Sequence, residues 1–318
     1  NLSSEIFSVR FEKVQDSEVW HDSVEIYNVF DQEMDTHLGR IYLDMHPREG
    51  KFKHAAQTCL KQGVQGRQLP EGVLMCNFPN PENGALPALM EHDQVKTFFH
   101  EFGHLLHHIL GGNQKWIRFS GVATEWDFVE APSQLLEEWV MDLQVLNRFA
   151  VHYETGEKIP EELVHRMKNA DEFGKGLFVR QQMSYATLSL QFHNEDPSNF
   201  NLNERMKEIE RKYSPYPHMK GTHFHLSFGH LDGYSAIYYT YAWSAVIAKD
   251  LFSRFKNAGI MNETVCREYR TRILEPGGSR DAADLVESFL QRPYSFEAYK
   301  EWVTSSSKES YFPSHRVL

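Results

Sequence analysis

Nothing in these 318 residues is apolar over a run long enough to span a bilayer, and the first residues lack the pattern of a secretory signal. A membrane partner is therefore not expected. Cysteine is scarce: Cys59, Cys76 and Cys266 are few and widely spaced, which excludes a disulfide framework and points to unpaired thiols in a reducing compartment, the cytoplasm. Basic charge is in deficit. Lys and Arg number 33 against 44 Asp and Glu, and the formal net charge of −11 argues against nucleic acid as a partner. No stretch is rich enough in Pro, Gly or Ser to mark a linker, and no internal repeat or low-complexity tract is found. The chain begins with Asn rather than Met, so a processed or excised piece is the expectation.

What is there suits a large core. Hydrophobic residues make up 41% of the chain, enough for one globular unit or two closely packed ones. Periodicity predicts helices over roughly 91–110, 126–148, 160–193, 202–212, 234–257, 262–274, 281–291 and 295–305, with loops near 80–92 and 213–224. The segment Gly39 to Gly50 alternates as a half-buried strand does, and a second strand, Val73 to Phe78, ends at Pro79.

The first of these helices carries the chemistry. His100-Glu101-Phe102-Gly103-His104 is an H-E-x-x-H run, a zinc-hydrolase signature. Four residues is slightly more than one turn, so His100 and His104 project from one face and can share an ion. Glu101 lies on the neighbouring strip, placed to take a proton from a water polarised by that ion. Asp93 is a candidate cap for the helix start; Leu105, Leu106, Ile109 and Leu110 continue an apolar stripe until Gly111 and Gly112 end it. His104 and His108 are also four apart, but Leu105 leaves that pair without a base. His107 and His108 are expected beside the ligands or at the surface. Leu110 stands where the three-histidine metzincin motif needs its last ligand, which excludes that subclass. A catalytic zinc takes three protein ligands. The acidic candidates downstream are Glu125, Asp127, Glu130, Glu137 and Glu138; spacing leaves Glu125 and Glu130 equally plausible.

The run His100 to Leu110, followed by Phe119 to Trp139 with its Asp127-Phe128-Val129-Glu130-Ala131-Pro132-Ser133-Gln134 core, resembles the thimet oligopeptidase family of zinc metallopeptidases. The resemblance covers about residues 37–292. It implies a mainly α, zincin-like catalytic domain with a small β-sheet beside the zinc helix, and one Zn2+ held by His100, His104 and Glu130. Asp127, Gln134 and Glu137 become candidates to steady those ligands, and Pro132 marks a helix start or kink just after Glu130. The strand from Gly39 and the stretch Phe228 to Trp243 also resemble family segments. By position, Tyr241 and Tyr238 would contact the scissile carbonyl or its tetrahedral successor, while His230, Tyr234 and Gly233 would contact substrate. A tyrosine hydroxyl is neutral near pH 7 and can donate to a forming oxyanion. The loop before Tyr234 departs from the family in being one residue shorter, with Asp232-Gly233 where two glycines are usual; this moves His230 relative to the tyrosines.

The implied activity is that of a metalloendopeptidase acting on short peptides, with Glu101 as base. A carboxy-dipeptidase of the same family and a metal-retaining peptide-binding domain are the alternatives. The chain reads as a single catalytic region, with sheet and zinc helix in about 37–125 and a helical part in 126–318. Only 99 residues precede His100, where the family has a long helical region lining the other side of a substrate channel, so an N-terminal half of the same protein is an expected partner.

Overall fold

The computed structural model describes residues 2–15, 17–81 and 87–305. Helix α1 (Leu2–Phe7) leads into strands β1 (Val9–Lys13), β2 (Glu25–Asp31), β3 (His37–Asp44), β4 (Ala56–Lys61) and β5 (Glu71–Met75). They form one sheet in the order β1-β2-β3-β5-β4, antiparallel except where β3 runs parallel to β5. Alternation explains why one face is buried in β2 and β3: Val29 and Ile41 point into the core while their chain neighbours stay half-buried, whereas the inner strand β5 buries Gly72, Val73 and Leu74 in succession. The sheet thus extends upstream of residue 37. Strand β5 ends at Met75, short of Phe78.

Helix α2 (His92–Leu110) lies across β3, β5 and β4. It buries Phe102, Leu105, Leu106, Ile109 and Leu110, the face its apolar spacing predicts. The remaining helices are α3 (Ala131–Glu137), α4 (Leu143–Leu146), α5 (Glu161–Glu172), α6 (Lys175–His193), α7 (Leu202–Tyr213), α8 (His230–Gly233), α9 (Thr240–Ala258), α10 (Glu263–Tyr269), α11 (Ala282–Leu290) and α12 (Glu297–Thr304). The architecture is mainly helical with a small mixed sheet beside α2, as the sequence reading expects. A main core joins the sheet, α2, α3, α9 and α11, whereas α6 and α7 share a satellite cluster around Leu188, Met206 and Ile209.

Three expected helices are broken, each for a local reason. The stretch 126–148 gives α3, a 3-10 turn at Glu138–Met141, and α4, whose start is capped by the Asp142 carboxylate accepting from the Gln144 and Val145 N–H groups. The stretch 160–193 divides at Gly174, which takes φ +76°. The stretch 234–257 is helical only from Thr240, because Ala236 sits at φ +61° between the tyrosines. The expectation for His107 and His108 also needs correction at the surface end: both rings are fully buried. His108 Nε2 donates between the carbonyls of Lys61 and Glu71, 3.1 Å from each, tying α2 to β4 and β5. Burial, with lesser contributions from His104 and His108, pushes the His107 imidazole down to about 3, so it stays neutral.

Gly103 sets the approach of α3 to α2. A Cβ built there would lie 2.8 Å from Ser133 Cα and 3.2 Å from Pro132 O, so the two backbones cross at a residue without a side chain. That crossing brings Glu130, at the N-terminus of α3, under His100 and His104. Gly103→Ala is expected to destabilise the fold by about 1–3 kcal/mol through overpacking, read as a lowered Tm. Metal affinity should fall with it, because α3 must retreat from the imidazoles.

Candidate active site

Helix α2 begins at His92, about two turns before the first imidazole. Its cap is Glu91, whose backbone N–H is bonded by Gln94 Oε1 at 2.9 Å; Asp93, the expected cap, lies in the first turn instead. From this helix His100 and His104 turn their Nε2 atoms towards one carboxylate oxygen, Glu130 Oε2, at 3.2 Å and 3.0 Å. The three potential ligand atoms lie within 4.8 Å of one another. Two imidazole nitrogens and a carboxylate oxygen are the donor set of a catalytic zinc site that keeps a position open. Of the acidic candidates, Glu130 alone converges with the histidines among the described residues. Glu125 instead accepts from the Ala282 N–H at 2.8 Å, and Asp127 accepts from the Tyr239 hydroxyl at 3.2 Å.

Polar neighbours fix the orientation of His100 and Glu130. His100 Nδ1 donates to Glu137 Oε1 at 2.6 Å, which leaves Nε2 as the nitrogen that could hold a metal, and Lys96 Nζ lies 3.3 Å from Glu137 Oε2. Burial disfavours the charged form of His100, but hydrogen bonds to Glu130 and Glu137 outweigh it and push the ring up to about 10. Burial likewise opposes ionisation of Glu130, yet its bonds to both imidazoles hold it well below the usual carboxylate range. Ser133 Oγ donates to Glu130 Oε2 at 3.2 Å, and the Tyr234 hydroxyl donates to Glu130 Oε1 at 2.7 Å. Gln134 does not reach the ligands; its amide donates to the Tyr241 carbonyl at 3.0 Å. Pro132 stands in the first turn of α3, which begins at Ala131 directly after Glu130.

Glu101 is absent from this ligand set. Its Oε2 accepts from the backbone N–H of Gln57 in β4 at 2.7 Å. The aromatic segment gathers opposite: the Tyr234 and Tyr241 rings lie 5.2 Å apart, Tyr238 and Tyr241 4.9 Å, and His230 stands 5.1 Å from Tyr238. The Tyr241 ring packs on that of Tyr234, whose hydroxyl is bonded to Glu130. Tyr238 gives its hydroxyl to Gln182 Oε1 at 3.0 Å, turning it towards α6. Burial and the nearby Glu130 charge raise Tyr241 and Tyr234, so both hydroxyls keep their protons. Gly233 closes α8, and a Cβ there would meet open space. Tyr234, Gln57, Ser133 and Gln182 are the contacts that sequence reasoning did not assign to the ligands, the base or the tyrosines. Only Tyr234 had a signal, its register with Tyr238 and Tyr241.

An H-E-x-x-H helix packed on a small sheet, with a carboxylate delivered by the next helix, puts the chain in a class of mainly helical folds built around a candidate metal centre. More specifically, the chain belongs to Peptidase family M3, whose sequence pattern matches residues 1–304. It is 36% identical over 299 residues to the thimet-like oligopeptidase of Dictyostelium discoideum, covering 91% of this chain and 44% of that protein. Identity to oligopeptidase A of Escherichia coli is 34%, covering 93% and 44%, and to the dipeptidyl carboxypeptidase of the same organism 31%, covering 99% and 45%. The fold also matches the solved structure of PZ peptidase A with inhibitor 2, at a TM-score of 0.57 and 16% identity over 82% of this chain and 42% of that one. The chain thus spans less than half the length of these relatives.

Proposed function

We propose that the chain is the catalytic portion of a zinc-dependent metalloendopeptidase that hydrolyses short peptides. The observation that carries this reading is the convergence of His100, His104 and Glu130 within 4.8 Å, with Glu101 beside it and outside it. Zn2+ at that site would supply Lewis acidity towards a peptide carbonyl and towards water. Glu101 accepts the proton of the attacking water and passes it to the departing amine. Tyr241 donates from its un-ionised hydroxyl to the oxyanion as it forms, and Tyr238 assists once its hydroxyl leaves Gln182. His230, Tyr234 and Gly233 contact the substrate backbone. Glu137 keeps His100 in the tautomer that presents Nε2.

Digestion of a quenched peptide with one equivalent of zinc, with chelator, and after zinc is restored tests this directly. Cleavage should be lost with chelator and regained with zinc; metal-independent cleavage or no cleavage in any state refutes it. Product mapping separates internal cleavage from release of C-terminal dipeptides. Glu137→Gln is expected to weaken zinc binding about 10–100-fold, measured by competition with a chromogenic chelator, and unchanged affinity would remove Glu137 from the site.

A further inference from the structure

Among the described residues, strand β4 ends the sheet order and has a neighbour on one side only, β5. Half of its backbone groups therefore face away from the ladder. One of them, the Gln57 N–H, donates to Glu101 Oε2 at 2.7 Å across 44 residues of sequence. Glu101 sits on α2, and α2 packs on β4 and β5, so the contact joins the helix to the edge of the sheet. An unrestrained glutamate on a helix samples several rotamers, each placing its carboxylate differently. A main-chain donor fixed in a sheet selects one.

We infer that the Gln57 main-chain N–H is a positioning group for Glu101: the sheet edge aims the proton acceptor at the space beside the ligand triad. This inference rests on the peptidase reading in giving Glu101 its role, but the link itself stands on geometry. The relevant atom is in the backbone, so side-chain replacement at Gln57 leaves it in place. Proline removes it. At an outward-facing edge position near the start of a strand, proline is tolerated.

Two measurements on the full chain decide it. In Gln57→Pro, kcat should fall about 10–100-fold below that of Gln57→Ala, the range expected when a reacting group is misplaced, with zinc content equal in the two. Equal kcat in both variants overturns the inference. Amide hydrogen exchange needs no turnover: Glu101→Ala should speed exchange of the Gln57 N–H at least about tenfold while β5 amides are unchanged. Unaltered exchange at Gln57 also overturns the inference, and this arm decides should Gln57→Pro not fold. Absence of peptide cleavage by the parent chain would sink the peptidase reading and leave the exchange result to judge the link.

Discussion

Glu101→Gln should lower kcat on a quenched short peptide by about 10²–10⁴-fold, the usual contribution of a positioned base, while the zinc content of the chain stays at one equivalent. The two halves of this result follow from two different contacts. Glu101 takes no part in the convergence of His100, His104 and Glu130, so the ion keeps its ligands. A carboxamide still accepts the Gln57 N–H that Glu101 now holds at 2.7 Å, so the side chain stays in place but cannot take a proton. Cleavage at the parental rate would remove Glu101 as the base. Loss of zinc together with activity would mean that Glu101 is a ligand.

His104→Ala should separate from that variant by losing the metal itself. Removing a group that merely orients a ligand costs about 10–100-fold in affinity, and loss of a direct ligand should exceed that range. The imidazole lies 3.0 Å from Glu130 Oε2 on a ring only 13% exposed, so no solvent molecule replaces it at equal strength. Activity falls with the zinc and is not recovered by adding the metal at concentrations that saturate the parent. Full zinc affinity in His104→Ala, measured by chelator competition, would mean that the paired imidazoles do not hold the ion.

Much of this site was legible before any coordinates because the helical period places His100 and His104 on one face and Leu105, Leu106, Ile109 and Leu110 on another. Glu130 was a different matter. Spacing left it level with Glu125, and only resemblance favoured it. The structural reason lies partly in Gly103, whose missing Cβ admits the α3 backbone at Ser133, and that is a contact between segments 30 residues apart. Strands β1, β2 and β4 were not anticipated; in β2 the apolar residues Ile26, Tyr27, Val29 and Phe30 come in adjacent pairs rather than in strict alternation, so the period-2 signal is missing. The Gln57 contact left no trace in sequence, since a backbone N–H is common to every residue except proline. Gly174 was the visible warning that 160–193 could not be one helix. Ala236 at φ +61° carried none, because glycine is the residue normally found there.

Anomalous diffraction at the zinc edge, from the chain crystallised with one equivalent of zinc, tests the central claim most directly. The account predicts a single strong peak about 2.0–2.2 Å from His100 Nε2, His104 Nε2 and a Glu130 carboxylate oxygen, with Glu101 still bonded to Gln57 or to a water and not to the ion. A peak bound elsewhere, or a Glu130 side chain turned away from the imidazole pair with no peak between them, would contradict it.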